Sequence, residues 1–226
     1  GAVDLAIEEG NPDVLYAAIY DKERRPWTFN AGGLSSGIYK TSNGGKDWTK
    51  LEGGLPEGVI GKIGVEVSKS HPNILYANIE NCNVEGMTTD ERWELMKNGQ
   101  PLPKDKKEVG IEVYRSDDYG ISWKKVGDGV GGSPGYYYQQ VRIDPTDPDH
   151  VYIVGIQVWE TKNGGEEWAR PFRFGGDNHA MWIDKNNPKH IVLGYDHGMG
   201  ISYDAGANWY HPDFKDVGQT VAVGFD

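Results

Sequence analysis

Short segments in which apolar and polar residues alternate recur along the whole chain, and polar segments rich in glycine and proline separate them. The clearest alternating segments are residues 3–7, 63–67, 140–143 and 181–183. Alternation with a period of two is the pattern of a β-strand that buries one face. Glycines number 32, tryptophans 8 and tyrosines 13, a composition rich in turns and aromatic rings. Together these features predict an all-β chain.

One eight-residue pattern, Ser/Thr-x-Asp/Asn-x-Gly-x-x-Trp, occurs at Thr41–Trp48, Ser116–Trp123, Thr161–Trp168 and Ser202–Trp209. Its third residue can accept hydrogen bonds from nearby backbone N–H groups, and its glycine can adopt the positive φ of a turn. We expect each tryptophan ring to be buried against a neighbouring unit. Structural roles are therefore assigned to Asn43, Trp48, Asp118, Trp123, Asn163, Trp168, Asp204 and Trp209.

A second repeat interleaves with the first. A polar residue and a proline precede an apolar strand at Pro12, Pro72, Pro148 and Pro188. Each unit then reads as strand, proline turn, strand, connection, strand, Asp/Asn turn and strand, which is a β-propeller blade of four antiparallel strands. The predicted blades cover residues 1–55, 60–128, 138–174 and 179–214, and 219–226 is the first strand of another.

Four blades can close a ring. We expect instead part of a larger propeller of about seven to ten blades, completed by missing sequence or by another chain.

The spacing between the two repeats locates two insertions. From the turn proline to the Asp/Asn turn is 13 residues in the third unit and 14 in the fourth, but 29 in the first and 44 in the second. The extra residues are 21–36 and 81–110, and both belong to the face of the propeller opposite the Asp/Asn turns. In the second insertion, Thr88 and Glu91 predict a capping box that starts a short helix. Functional residues concentrate in such loops.

Charge and cysteine content limit the range of possible functions. The chain has 23 Lys and Arg against 34 Asp and Glu, a formal charge of −11, which argues against nucleic acid as a partner. No apolar run is long enough to span a bilayer, and this segment shows no signal peptide. The single cysteine, Cys82, allows no internal disulfide. We expect no cofactor and no metal, since no compact ligand motif is present.

The two repeats together resemble the BNR/Asp-box propeller superfamily. It includes sialidases, family 74 xyloglucan hydrolases, sortilin-like domains and photosystem II assembly factors. Residues 176–184 and 193–198 are similar to paired segments of secreted bacterial proteins labelled sortilin-like or BNR-repeat glycosyl hydrolases. The resemblance implies an extracellular or periplasmic propeller. The Arg24-x-Pro26 element is expected in a loop rather than on an inner strand, and no arginine triad accompanies it, so a sialidase is rejected.

Candidate chemistry lies in the fourth unit. Asp177 and His179 enter its first strand, and Asp196 and His197 form a tip on the same face. Two carboxylates are what glycoside hydrolysis requires, so Asp196 and Asp177 are the catalytic candidates. Only Asp196 matches the Gly-Asp-x-Gly type of tip in family 74, whose other carboxylate has no counterpart here. Ordinary loop hydrogen bonding and ligand contact are the alternatives.

Further ligand-binding candidates are guanidinium and aromatic groups on the same face: Arg24, Arg25, Trp27, Tyr136, Tyr137 and Tyr138. Such rings can stack on sugars, grip a peptide or cover blade edges. Two functions therefore remain open. One is a carbohydrate-active propeller, either a family 74-like hydrolase or a glycan-binding module. The other is a sortilin-like propeller that binds a peptide or protein without catalysis.

Overall fold

The computed structural model describes residues 1–132, 134–172 and 176–212, whose strands form four consecutive antiparallel sheets and a separate hairpin. The first six strands are β1 (Ala2–Ile7), β2 (Leu15–Ile19), β3 (Glu23–Arg25), β4 (Thr28–Asn30), β5 (Gly37–Thr41) and β6 (Thr49–Lys50). Sheet 1 has the order β1-β2-β5-β6. The hairpin of β3 and β4 occupies the first insertion, where the sequence suggested only a loop.

Sheet 2 contains β7 (Ile60–Val67), β8 (Leu75–Val84), β9 (Glu108–Ser116) and β10 (Lys124–Asp128), with α1 (Thr89–Lys97) between β8 and β9. Sheet 3 contains β11 (Gln140–Ile143), β12 (Val151–Val154) and β13 (Val158–Thr161). Sheet 4 contains β14 (Asn178–Ile183), β15 (Ile191–Tyr195) and β16 (Gly198–Ser202). The strands of each sheet follow one another in space as they do in the chain.

The outer edges of sheets 3 and 4 differ from the predicted four strands. There the fourth strand is a single bridge pair, Glu160 with Ala169 and Ile201 with Tyr210. Proline follows two residues later in both, at Pro171 and Pro212. Proline has no backbone N–H for the ladder, which explains why the pairing stops. The predicted strand at 219–226 lies outside the described residues.

Consecutive sheets pack face to face through apolar side chains, so that each interior interface is a hydrophobic core. The core between sheets 1 and 2 includes Ala6, Tyr16, Ala18 and Ile38 from the first and Ile63, Val65, Leu75, Ala77, Tyr114 and Trp123 from the second. Similar clusters join sheet 2 to sheet 3 and sheet 3 to sheet 4. We call the face of a sheet that meets the preceding sheet its front and the opposite face its rear.

Hydrogen bonds also join the first strands of consecutive sheets. A carboxylate or amide oxygen on one first strand accepts from a backbone N–H of the next. The pairs are Asp4 with Val65 at 3.0 Å, Glu66 with Ile143 at 2.7 Å and Gln140 with Met181 at 2.7 Å. The first strands of the four sheets therefore lie next to one another in chain order.

The four Asp/Asn turns share one hydrogen-bond network. In each, the hydroxyl of the first residue donates to the side-chain oxygen of the third at 2.9 Å. The first hydroxyl also accepts from the backbone N–H of the fifth residue, and the third residue accepts from that of the seventh. The fourth residue, like the fifth, has a positive φ even where it is Tyr119 or Ala205.

The two sequence repeats meet in space. The backbone N–H of the fourth turn residue donates to the carbonyl oxygen of the residue after the proline in all four units. The pairs are Gly44 with Asp13, Tyr119 with Asn73, Gly164 with Asp149 and Ala205 with Lys189, at 2.9 to 3.0 Å. The proline turns and the Asp/Asn turns therefore lie on the same face, which we call the turn face.

The turn tryptophans are buried to different extents. Trp123 is 7% exposed in the core between sheets 1 and 2. Trp168 and Trp209 are half-buried against the sheets that precede theirs. Trp48 is 40% exposed, because no described sheet precedes sheet 1. Of the four rings only Trp123 is buried as expected, and the two others with a preceding sheet are partly covered by it.

The predicted helix is confirmed as α1. Thr88 and Glu91 form both hydrogen bonds of a capping box, and the helix ends at Asn98. Met96 and Trp93 pack against Cys82 of β8 and against Val59, which precedes β7, and these contacts fix the second insertion to the body of the molecule. Within the described residues no helix has the length and hydrophobicity needed to cross a membrane.

Candidate functional site

Three of the four polar candidates in the fourth unit lie together. Asp177 immediately precedes β14, His179 lies in it, and Asp196 lies in the two-residue turn between β15 and β16. The backbone N–H of Asp196 donates to the carbonyl oxygen of Asp177 at 3.2 Å. His179 Nε2 lies 2.8 Å from Asp196 Oδ1. The fourth candidate, His197, is exposed in the same turn.

Tyr138 completes this group from the neighbouring sheet. Its hydroxyl donates a hydrogen bond to Asp177 Oδ1, and its ring stacks on His179 with centroids 5.8 Å apart. Burial raises the pKa of Tyr138, and the hydrogen bond to Asp177 and the nearby charge of Asp196 raise it further. The phenol therefore stays protonated near neutral pH and acts as a donor.

Asp177 has a left-handed backbone, with φ of +53°. Such a conformation is uncommon for residues other than glycine, although aspartate tolerates it better than most. Its carboxylate is held by Tyr138 and its carbonyl oxygen by Asp196. The local strain is therefore offset by contacts to two other segments, a situation frequent at functional positions.

An uninterrupted row of aromatic rings leads to these carboxylates. Phe29 lies 5.0 Å from Tyr136 edge to face, Tyr136 lies 4.4 Å from Tyr137, and Tyr137 lies 6.1 Å from Tyr138. The last contact in the row is that of Tyr138 with His179. We call these five side chains the aromatic row. It joins the first insertion to the fourth sheet across the face opposite the turn face.

The arginine and tryptophan candidates divide between row and rim. The Arg24 guanidinium lies 5.5 Å from the Phe29 ring centroid, so it extends the row with a cation. Arg25 instead forms an exposed ion pair with Glu23. Trp27 is 76% exposed in the turn of the β3–β4 hairpin. The structure thus places Arg24 in contact with the row, whereas Arg25 and Trp27 are exposed to solvent beside it.

A buried carboxylate positions the tyrosines. Glu80, in the middle of β8, accepts from the backbone N–H of Gly135 at 2.9 Å. Burial raises the pKa of Glu80, and the hydrogen bonds from Gly135 and Lys62 act against that rise. Because Gly135 directly precedes Tyr136, this contact ties the row to sheet 2 beside the second insertion. Sequence reasoning missed Glu80, since nothing local marks a glutamate in a strand as buried.

A small cavity of about 110 Å³ lies beneath the row. Its lining includes Lys62, Tyr137, Tyr138, Gln139 and His179. Lys62 donates to the carbonyl oxygen of Tyr136 at 3.5 Å, and burial lowers its pKa. The cavity has room for about three water molecules or one small polar group. Lys62 was not among the sequence candidates, although a polar residue at the start of an innermost strand is a usable signal.

The arrangement favours binding of a polar, ring-containing ligand. Aromatic faces, a guanidinium and two hydrogen-bonded carboxylates lie along one surface, which suits stacking combined with hydroxyl recognition. Both carboxylates are already hydrogen-bonded, Asp177 to Tyr138 and Asp196 to His179. Among the described residues there is no group of three or more His, Cys, Asp or Glu side chains that could hold a metal ion.

Comparison with known proteins gives structural likeness alone. No protein-family model matches the chain, and no curated protein does. The GH74 xyloglucanase from Xanthomonas campestris superposes with a TM-score of 0.63 at 16% identity, over 97% of this chain and 31% of the enzyme. An ancestral GH74 enzyme gives 0.57 at 16%, over 95% and 24%. A nidogen/laminin complex structure gives 0.53 at 11%, over 93% and 64%.

The chain has a β-propeller fold. The identities are too low to carry function from these neighbours. The chain also spans less than a third of the length of either GH74 enzyme.

Proposed function

We propose that this β-propeller chain binds carbohydrate along the aromatic row, as a segment of an extracellular Asp-box propeller. The observation that carries the proposal is the continuity of the row, from Arg24 and Phe29 to the carboxylates Asp177 and Asp196. Sugar rings present apolar faces that stack on aromatic side chains and hydroxyls that bond carboxylates. The GH74 xyloglucanase among the structural neighbours makes a β-glucan such as xyloglucan the first ligand to test.

The architecture assumed by this proposal is finer than the propeller fold itself. We take the four sheets as blades at residues 1–55, 60–128, 138–174 and 179–214, each closed by an Asp-box turn. The shared hydrogen-bond network of the four turns supports that interpretation. The ligand site belongs to the opposite face, where the insertions 21–36 and 81–110 approach each other, with Gly99 near Thr28.

Glycoside hydrolysis is the catalytic form of the proposal. Asp196 and Asp177 are the two carboxylates, and Tyr138 and His179 are their hydrogen-bond partners. One carboxyl must donate a proton to the leaving oxygen while the other acts as base or nucleophile. The paired phenol and imidazole can hold the two groups in place and relay protons.

Binding is tested by calorimetric titration of xyloglucan oligosaccharides into the wild type, Tyr137→Ala and Tyr119→Asn. Tyr137 is 58% exposed within the row, so its loss should weaken the Kd about tenfold. Tyr119 is 44% exposed on the turn face, and asparagine accepts its positive φ. This control should bind like the wild type. Equal weakening in both variants would contradict a site on the row.

Hydrolysis is tested with Asp196→Asn, which keeps the size of the side chain and removes its charge. Turnover of xyloglucan should fall by about two orders of magnitude or more, while the Tm stays within about 2 °C. Asp117→Asn, an exposed change on the turn face, is the matched control. Binding without turnover in the wild type would reduce the function to a glycan-binding module. A protein that neither binds nor cleaves glycan would favour the sortilin-like, peptide-binding alternative.

A further inference from the structure

The cavity beneath the aromatic row is lined by hydrogen-bond donors that lack a protein acceptor. Lys62 and Gln140 both line it. The Lys62 ammonium has three donor positions, and its one hydrogen bond to a described residue is the 3.5 Å contact with the carbonyl oxygen of Tyr136. Gln140 Oε1 accepts from the backbone N–H of Met181 at 2.7 Å, which leaves the amide nitrogen of Gln140 without a hydrogen bond to any described residue. Both side chains can therefore donate to a ligand.

The carboxylate that lines the same cavity is already engaged. Asp4 Oδ1 accepts from the backbone N–H of Leu5 and Asp4 Oδ2 from that of Val65, each at 3.0 Å. Lys62 forms no ion pair with any described residue, although the chain has a formal charge of −11. The cavity thus offers an ammonium and an amide N–H to a group that the described protein does not supply.

The environment of Lys62 favours an anionic partner. Burial and the nearby charge of Lys22 lower the pKa of Lys62, and the carboxylates of Asp4 and Glu80 offset only a part of that effect. An ammonium that has lost much of its water without gaining an ion pair is costly. A charge-assisted hydrogen bond to an anionic oxygen would recover that free energy.

The size and position of the cavity define the anion. Its volume of about 110 Å³ accommodates a carboxylate, whose two oxygens match the two free donors. Tyr137, a ring of the aromatic row, lines the cavity as well and is 58% exposed. A sugar that stacks on Tyr137 can therefore place a group attached to its ring in the cavity.

We propose that the cavity binds the carboxylate of a uronate sugar whose ring stacks on Tyr137, with Lys62 and Gln140 as donors to the carboxylate. This inference rests on the proposed binding of carbohydrate along the row and names the charged class of its ligand. A neutral hexose has a hydroxymethyl group where the uronate has its carboxylate. That group cannot form an ion pair with the ammonium, so the cavity selects the acidic sugar.

The test compares the tetrasaccharides of β-1,4-linked glucose and β-1,4-linked glucuronate, which differ only at the C6 group of each ring. Calorimetric titration into the wild type should give a Kd about tenfold lower for the glucuronate. Lys62→Met removes the charge and keeps an unbranched side chain. Gln140→Glu keeps the acceptor for Met181 and removes the donor. Each variant should abolish the preference, so that the two Kd values become equal.

Lys22→Met is the matched control. It removes the same charge from a lysine close enough to lower the pKa of Lys62 but not among the residues that line the cavity. This variant should keep most of the preference for glucuronate. An equal loss of preference in Lys22→Met and Lys62→Met would overturn the proposal, because the selection would then come from long-range charge.

The remaining outcomes separate this inference from the proposed function. A wild type that binds both tetrasaccharides with the same Kd would overturn the uronate site and leave carbohydrate binding along the row intact. A wild type that binds neither would contradict the proposed function, and the uronate site would fail with it.

Discussion

Trp48 in sheet 1 and Trp123 in sheet 2 occupy the same position of the same turn and differ in what covers them. Both indole N–H groups donate to the carbonyl oxygen of the turn glycine three residues earlier, at 3.1 and 3.0 Å. Yet Trp48 is 40% exposed and Trp123 is 7% exposed. These two turns therefore have the same hydrogen bonds with and without a described sheet in front of them, whereas the burial of their rings differs.

A similar contrast separates the rears of sheets 3 and 4. His150 in sheet 3 lies 2.7 Å from Glu160 and 3.4 Å from Asp144, between sheets 3 and 4. Its counterpart in sheet 4 is His190, which lies 3.7 Å from Asp184 and has Ile201 where sheet 3 has Glu160. The rear of sheet 3, which sheet 4 covers, thus contains a buried carboxylate beside its histidine, whereas the rear of sheet 4, which no described sheet covers, has an isoleucine at the equivalent position.

The largest expected effect is on the covered tryptophan. Trp123→Ala should lower the free energy of unfolding by about 3 to 5 kcal/mol, since it leaves a cavity between two sheets. Trp48→Ala should lower it by about 1 kcal/mol or less, because its ring is surrounded by solvent on one side. Urea denaturation measures both losses. Similar losses in the two variants would show that Trp48 is covered in solution as Trp123 is.

The two tryptophans also show which features can be predicted from the sequence: contacts within a motif can, and burial by other units cannot. The turns were predictable because Thr41 and Asn43, or their equivalents, act within eight residues of each other. The helix was predictable for the same reason, since Thr88 and Glu91 are three residues apart. Exposure of Trp48 was not predictable from its own motif, because it depends on a surface formed by other units.

Contacts of the candidate site could likewise be predicted within one unit but not between units. The structure brings Asp177, His179 and Asp196 together because a strand entry and a hairpin tip of one unit are adjacent in a meander. The contact of Tyr138 with Asp177 joins residues 39 positions apart in different units, and that of Phe29 with Tyr136 joins the insertion of sheet 1 to the entry of sheet 3. No local pattern encodes such contacts. The same is true of the support that Glu80 gives to Gly135.

A smaller effect is expected from the buried histidine, and it depends on pH. Burial lowers the pKa of His150, but the hydrogen bonds and charges of Asp144 and Glu160 outweigh it and raise the pKa to about 9. A raised pKa means that the folded state retains a proton that the unfolded state loses above about 6.5. The stabilisation is complete below that pH and is lost as pH rises toward 9. We expect a loss of about 1 to 2 kcal/mol over that interval.

The measurement is chemical denaturation at pH 6 and pH 9.5 for the wild type, His150→Gln and His190→Gln. His150→Gln should remove this part of the pH dependence, because the amide carries no proton to lose. His190→Gln is the matched control, because sheet 4 has Ile201 at the position where sheet 3 has Glu160. If His190→Gln flattened the profile as much as His150→Gln does, the contrast between the covered and uncovered rears would be wrong.

The smallest expected effect is the loss of the turn hydroxyl, and it should be the same in sheet 1 as in sheet 3, which is covered on both faces. Thr41 in sheet 1 and Thr161 in sheet 3 are both 2% exposed, and each hydroxyl donates once and accepts from two backbone N–H groups. Replacing either with valine keeps the shape and removes those bonds, at a cost of about 1 kcal/mol. Because the network lies within the turn, Thr41→Val and Thr161→Val should agree within about 0.5 kcal/mol in thermal or urea unfolding. A much smaller loss for Thr41→Val would mean that the turn of sheet 1 is held less firmly than its hydrogen bonds indicate. The strength of the turn hydrogen bonds in sheet 1 would then depend on whether a neighbouring sheet packs against that sheet.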